Sequence, residues 1–206
     1  MSLGRRFARL VTNAVVRRPA LWRLFRGPLR RQFDRLAPQW DAIRSPDHLA
    51  AFERALEQVE TPPRRALDLG TGTGDGAFAV AHRFPEAEVV GLDIAESMVA
   101  AARRKTGPEL ADRVRFERGD AANLPFDDGA FQLVSLANMI PFFDELARVV
   151  APGGFVVFSF SGGSETPIYV DSSRLRAELE RRGFTHFADV DAGRGTAFLA
   201  RKAEAG

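Results

Sequence analysis

The chain has no cysteine, three histidines and a single tyrosine in 206 residues. Without cysteine there is no disulfide and no thiolate nucleophile, and a reducing cytoplasm is a compatible setting. His48, His82 and His186 show no H-x-x-x-H spacing, so no metal site is expected. No apolar run reaches transmembrane length, and the uninterrupted apolar stretch of a signal peptide is missing. Acid is scarce at one end. Residues 1–35 hold ten arginines against Asp34 alone, which leaves 19 basic and 26 acidic side chains in residues 36–206. The net charge of +2 thus hides an arginine-rich arm on an acidic body. With no internal repeat, this length fits one domain that can bury a core.

What is present is organised around Arg65-Ala66-Leu67-Asp68-Leu69-Gly70-Thr71-Gly72-Thr73-Gly74-Asp75-Gly76. Ala66, Leu67 and Leu69 read as a buried strand of a parallel sheet, and Ala77 to Phe84 as a helix after the glycine turn. Bare N–H groups converge where such a turn meets its helix, which makes a site for the polar part of a nucleotide-like ligand. Phosphate loops carry a lysine that this loop lacks. Asp68 and Asp75 stand beside the glycines instead, and two carboxylates repel a pyrophosphate and attract a cation. S-adenosylmethionine fits that requirement, with an ammonium, a sulfonium, an adenosine and no phosphate.

The D-x-G-x-G-x-G of Asp68 to Gly74 resembles the signature loop of class I S-adenosylmethionine-dependent methyltransferases. Further pieces follow in order. Val89-Val90-Gly91-Leu92-Asp93-Ile94 reads as a second strand, ending in an acid at the spacing that serves ribose hydroxyls. Val114 to Ala121 reads as a third strand ending at Asp120. Leu124 to Phe131 is similar to the family's turn into strand four, and Leu146 to Gly154 to its lead into strand five. Phe33-Asp34-Arg35-Leu36-Ala37-Pro38-Gln39-Trp40-Asp41 resembles the lead-in of ubiquinone- and menaquinone-type methyltransferases.

The resemblance implies an α/β, Rossmann-like fold with a seven-stranded, mostly parallel sheet and a terminal antiparallel hairpin. It also implies roles. Asp68 with Gly70, Thr71, Gly72 and Gly74 holds the methionine portion of the cofactor, helped by the carbonyl near Asn138. Asp93 takes the ribose hydroxyls, Ile94 and Met98 sandwich the adenine, and Asp120 with Ala121 reads its edge. Trp40 covers the cofactor and, with Asn138 and Tyr169, is a candidate on the acceptor side. Core packing alone also explains Trp40 and Met98, and capping explains Asp68 and Asp93. No general base is assigned, although Tyr169, His48 and His186 have suitable chemistry.

Residues 1–44 are expected to form an amphipathic arm or lid, and 45–206 the cofactor-binding domain. In the arm Leu3, Phe7, Leu10, Val11, Ala14 and Val15 recur at helical spacing up to Pro19. Leu21, Trp22, Leu24, Phe25 and Leu29 follow in a segment broken by Gly27-Pro28. The arm can pack on the domain, lie at the inner face of a membrane through residues 1–30, or bind nucleic acid. Ser45-Pro46 predicts a helix start and Pro62-Pro63 its end. Helices are expected over Glu96–Lys105 and Ser172–Arg182, and strands over Phe131–Ala137, Phe155–Phe160, Phe184–Val190 and Thr196–Arg201.

Three departures from the family stand out. Gln132 replaces a common Asp, and the segments between Asn138 and Leu146 and from Ser161 to Asp171 are short, so the acceptor pocket is not carried over. The expected function is methyl transfer to a small molecule, apolar or aromatic, by a monomer or homodimer. The rival readings are a non-catalytic binding or assembly protein of this fold, an RNA methyltransferase and an NAD(P)-dependent oxidoreductase. Asn138-Met139-Ile140-Pro141-Phe142 does not match the [DN]-P-P-[FY] of nucleic-acid adenine methylases, which counts against base methylation by that route.

Overall fold

In the computed structural model, which describes residues 3–204, β1 (Arg65–Leu69) is the central strand. Its alternating side chains enter two separate cores: Ala66 joins the one on one face of the sheet, Leu67 and Leu69 the one on the other. β2 (Glu88–Asp93), β3 (Val114–Arg118), β4 (Phe131–Ala137) and β5 (Val150–Phe160) lie parallel to it. β6 (Phe184–Ala192) and β7 (Gly195–Lys202) close the sheet as an antiparallel hairpin, in the order β3-β2-β1-β4-β5-β7-β6. The strand order reverses between β1 and β4. Ligands of such sheets bind in the crevice at that point, outside the carboxyl ends of the strands.

The helices divide between the faces. α3 (Ala50–Leu56), α4 (Asp75–Arg83) and α5 (Glu96–Lys105) bury Phe52, Val80 and Val99 on one side. α1 (Leu3–Arg17), α2 (Trp22–Leu36), α6 (Phe143–Val149) and α7 (Ser172–Glu180) cover the other with Val15, Trp22, Leu146 and Leu175. Gly91 in β2 is demanded by close packing, since a Cβ there would run into the Phe116 ring of β3. Gly91→Ala is therefore expected to cost about 1–3 kcal/mol as overpacking. Thermal unfolding should drop by about 2–4 °C per kcal/mol. An unshifted midpoint would mean that Phe116 has a second place to go.

Several expectations are corrected. Gly27-Pro28 does not break the second segment, because α2 runs through it. Proline inside a helix costs about 3 kcal/mol. Trp22, Phe25 and Leu29 pack on the sheet core, and burial of about 1.5–3 kcal/mol per large apolar side chain offsets it. Ser45-Pro46 starts a turn rather than a helix, and α3 begins at Ala50 and ends at Leu56, well before Pro62. β3 stops at Arg118, so Asp120 sits in the turn beyond it, bridged to Asn123. In α1 the buried side chains are Val11, Thr12, Val15 and Val16, whereas Phe7 and Leu10 of the predicted stripe are 59% and 67% exposed.

Candidate functional site

The loop between β1 and α4 turns on three glycines with φ of +65°, +56° and +97°, Gly70, Gly72 and Gly74. Side chains crowd them: a Cβ on Gly70 would lie 2.8 Å from Met139 Sδ, and one on Gly72 3.2 Å from Trp40 Nε1. The loop is tied to β2 by Asp93, which is 8% exposed and accepts hydrogen bonds from Gly72 N at 2.9 Å and Ala95 N at 2.8 Å. Burial raises the Asp93 pKa, against the pull of those two amides. Asp68 lies beneath the loop, 2% exposed, and accepts from Ser135 Oγ at 2.8 Å. Burial pushes its pKa up to about 6, although Ser135 and the Ala77 amide favour the carboxylate.

Across the crevice, Asn138 follows β4 with φ of +52°, a left-handed conformation that asparagine tolerates better than most residues. Its Oδ1 accepts from Ser161 N at 2.9 Å, which joins the ends of β4 and β5. Ile94, Gly119 and Asp120 share the wall of a cavity of about 640 Å³ beside α2. Ala121 is buried behind them in the sheet core. Met98 does not line that cavity. It is 1% exposed and packs beneath Ala37, Phe33 and Trp40.

The Phe33 to Asp41 motif has a physical explanation here. Phe33 and Trp40 meet edge to face at 5.6 Å over Met98. Asp34, the single acid of residues 1–35, accepts from Ser97 N at 3.0 Å in the first turn of α5, where a carboxylate favours the helix dipole. Trp22 was placed by no motif, yet its indole Nε1 donates to Asp120 Oδ1 at 2.8 Å and its ring meets Phe142. Tyr169 packs on Phe160 with the Arg9 guanidinium 5.8 Å from its ring centre. Arg9 also donates to the Ser164 and Thr166 carbonyls, so α1 closes over the short segment after β5. Gln132 accepts from Arg65 N at 2.9 Å, which gives this departure from the family a bracing role.

Asp75 does not offer its charge to a ligand. Arg44 reaches it at 2.5 Å, Lys105 at 2.6 Å and His48 Nε2 at 3.2 Å. Burial works to raise the Asp75 pKa, but the bonds from His48 and Lys105 and the Arg44 charge hold it well below the usual carboxylate range. Of the two loop carboxylates, Asp68 alone is left without a cationic side chain bonded to it. His48, weighed as a base, is instead part of this latch, which also ties Asp41 to Thr73 at 2.5 Å and to Lys105 at 3.1 Å. The one sequence signal was the four-residue spacing of Arg44 and His48. Asp75→Ala should release residues 40–48 from the glycine loop. Trypsin is then expected to cut after Arg44 about tenfold faster, if the latch is worth the ~1.5 kcal/mol of a charged hydrogen bond. Unchanged cleavage would mean that Trp40 and the Asp41 bonds to Thr73 and Lys105 hold the segment without Asp75.

His186 is exposed in β6, far from the crevice in sequence and paired only with Thr185. Among the described residues no cluster of metal-ligating side chains occurs, and no helix is long and apolar enough to cross a membrane.

Comparison with known proteins follows the same residues. A family described as methyltransferase domain matches residues 66–154. The chain is 42% identical over 140 residues to a demethylmenaquinone methyltransferase of Thermus thermophilus, an alignment covering 61% of this chain and 62% of that protein. It is 38% identical over 121 residues to the ubiquinone/menaquinone biosynthesis C-methyltransferase UbiE of Methylobacterium nodulans, covering 54% and 48%. The chain thus spans less than two thirds of the length of these curated relatives. Its fold matches the crystal structure of a SAM-dependent methyltransferase from Aquifex aeolicus with a TM-score of 0.66. That match covers 80% of this chain and 97% of the other at 18% identity, a likeness of fold.

Proposed function

We propose, from its class I S-adenosylmethionine-dependent methyltransferase domain of the ubiquinone/menaquinone type, that this chain transfers a methyl group to a small apolar aromatic acceptor. The cofactor is S-adenosylmethionine, which when bound supplies an electrophilic methyl on a sulfonium. The observation that carries the reading is the tie between the glycine loop and Asp93, which fixes the loop after β1, where the strand order reverses, against the end of β2. The residues present fit the cofactor in a second way. Trp40 Nε1 is buried beside Gly72 with no hydrogen-bond partner among the described residues, and a buried donor wants an acceptor such as a carboxylate.

In this reading Asp93 receives the ribose hydroxyls, Ile94 packs on the adenine and Asp120 with Ala121 reads its edge. Asp68 keeps the glycine loop in shape from below, and the Asn138 turn faces the methionine end. Methyl transfer is an in-line displacement, so holding the acceptor opposite the sulfur supplies much of the rate. Ile140, Phe142 and Phe160 belong to the apolar core that α1 completes on this side, and a dry wall favours a reaction in which charge is lost. That wall supports an apolar aromatic acceptor. Phe7, Leu10 and Leu24 are exposed among the arginines of the arm, which supports peripheral membrane contact by residues 1–30.

Calorimetric titration with S-adenosylmethionine, S-adenosylhomocysteine and NADH tests the cofactor. Micromolar binding of the sulfur compounds alone is expected, and binding of NADH in their place would move the reading to an oxidoreductase. Labelled-methyl transfer to a reduced demethylnaphthoquinone tests the acceptor. Tight cofactor binding with no turnover on that quinol or other small aromatic acceptors would favour the binding or assembly role.

A further inference from the structure

We propose that the cavity between α2 and the carboxyl ends of β2 and β3 is a phosphate-binding site, one that takes a phosphate group borne by an apolar molecule. Arg23, Arg26 and Arg30 stand on one face of α2 at spacings of three and four, and Arg118 faces them from the end of β3. These four arginines line the cavity of about 640 Å³, and Asp120 is the only acid lining it among the described residues. Asp120 is already engaged by Trp22 at 2.8 Å, by the Ala122 amide at 3.0 Å and by Arg26 at 3.4 Å.

Arg23, Arg30 and Arg118 have no ion-pair partner among the described residues. Several arginines elsewhere in the molecule are paired. Arg148 pairs with Glu145 and Asp128, Arg182 with Glu178 and Asp144, and Arg44 with Asp75. An acidic body could have neutralised the cavity in the same way and does not. Like charges are gathered there because Trp22, Phe25 and Leu29 pin α2 to the sheet core. A concave wall of one sign focuses its field, and the planar guanidinium fork matches phosphate oxygens in pairs.

The proposed cofactor carries no phosphate, and its adenine would meet the Ile94 and Asp120 side of this cavity, so the phosphate is assigned to the arginine side and is a further ligand whose binding is read without the cofactor present. Its apolar body is indicated by Leu24, which lines the same cavity and is 68% exposed. A phospholipid headgroup and a soluble phosphate ester share this chemistry, and the test separates them. The full chain is titrated with pyrophosphate and sedimented with phosphatidylglycerol-containing or pure phosphatidylcholine vesicles. The variant Arg23→Gln/Arg30→Gln/Arg118→Gln is compared with Arg6→Gln/Arg17→Gln/Arg18→Gln, which removes equal charge from outside the cavity.

Saturable binding of pyrophosphate, of phosphatidylglycerol vesicles or of both is expected. The cavity variant should weaken it by at least about tenfold and the outside variant by less than about threefold. Pyrophosphate binding alone identifies a soluble ester, and vesicle binding alone a headgroup. Equal losses in both variants would overturn the site in favour of diffuse charge. Binding of neither probe, or of an RNA hairpin only, would also overturn it. If the cavity variant fails to fold, Arg→Lys replacements at the same three positions keep the charge and remove the fork. An affinity unchanged by them would equally overturn the assignment.

Discussion

Asp93→Ala should weaken binding of S-adenosylhomocysteine by about a hundredfold or more while leaving a folded protein. A hundredfold is about 2.8 kcal/mol, which two hydrogen bonds to a charged acceptor supply at about 1.5–3 kcal/mol each. The same carboxylate serves the protein and, in the proposed reading, the cofactor. Its oxygens accept from the Gly72 and Ala95 amides, which leaves lone pairs to which, in that reading, the ribose hydroxyls would donate. Asp93→Asn is a sharper probe, because an amide of the same shape turns a donor toward one of those N–H groups. It should bind nearly as poorly as the alanine variant. Titration calorimetry with both variants, beside thermal unfolding, checks this. Unaltered affinity in a folded Asp93→Ala protein would reduce Asp93 to a brace of the loop and remove the main support for the cofactor site.

How much of this was legible without coordinates depends on where each contact lies. Glu96–Lys105 and Phe131–Ala137 were readable to the residue, since each carries its own periodicity and its own boundaries. The glycine loop and the acids after β2 and β3 were readable because the parallel topology repeats a spacing along the chain. What the sequence did not reveal is held by tertiary contact. The helix through Pro28 survives because its apolar face is buried, which local propensity does not weigh. Asp75 read as a ligand-facing acid, but Arg44 and Lys105, 31 and 30 residues away, consume its charge. Trp22 reaches Asp120 across 98 residues, and no pattern in either segment announces the pair.

The arm shows the same limit. Its arginines and apolar residues alternate at helical spacing, a pattern equally suited to a membrane, a nucleic acid or the body of the protein. The structure spends Val11, Val15, Val16 and Trp22 on the sheet core, and Arg9 on backbone carbonyls after β5. Trp22 and Phe25 therefore face inward, and among the described residues of 1–30 the large apolar side chains left exposed are Phe7, Leu10 and Leu24. The arm thus packs over the short segment after β5.

Raising the pH from about 4 to about 7 should destabilise the protein by up to about 3 kcal/mol through Asp68 alone. Its carboxyl has a pKa of about 6 when folded and 3.8 as an ordinary aspartate, because burial under the glycine loop disfavours the charge. Between those values the folded state binds more protons than the unfolded state, so stability falls as pH rises through this window and the loss is complete above it. Burial shifts Asp93 in the same direction. Asp75, held low by His48, Lys105 and Arg44 against its own burial, acts oppositely: its contribution is present above pH 3.8 and is lost as pH falls below. The contribution of this pair is therefore greatest near the acid end of the range, where Asp68 is protonated and Asp75 is still ionised. Urea unfolding across this range should show the decline in the wild type and a flatter profile in Asp68→Asn, whose carbonyl can still accept from Ser135. Parallel profiles would place the titration elsewhere. At neutral pH the asparagine variant should match or exceed the wild type in stability and yet bind the cofactor less well. A charge kept under the loop against its own desolvation is explained by what it does for the ligand above it, and a gain in both properties would refute that account.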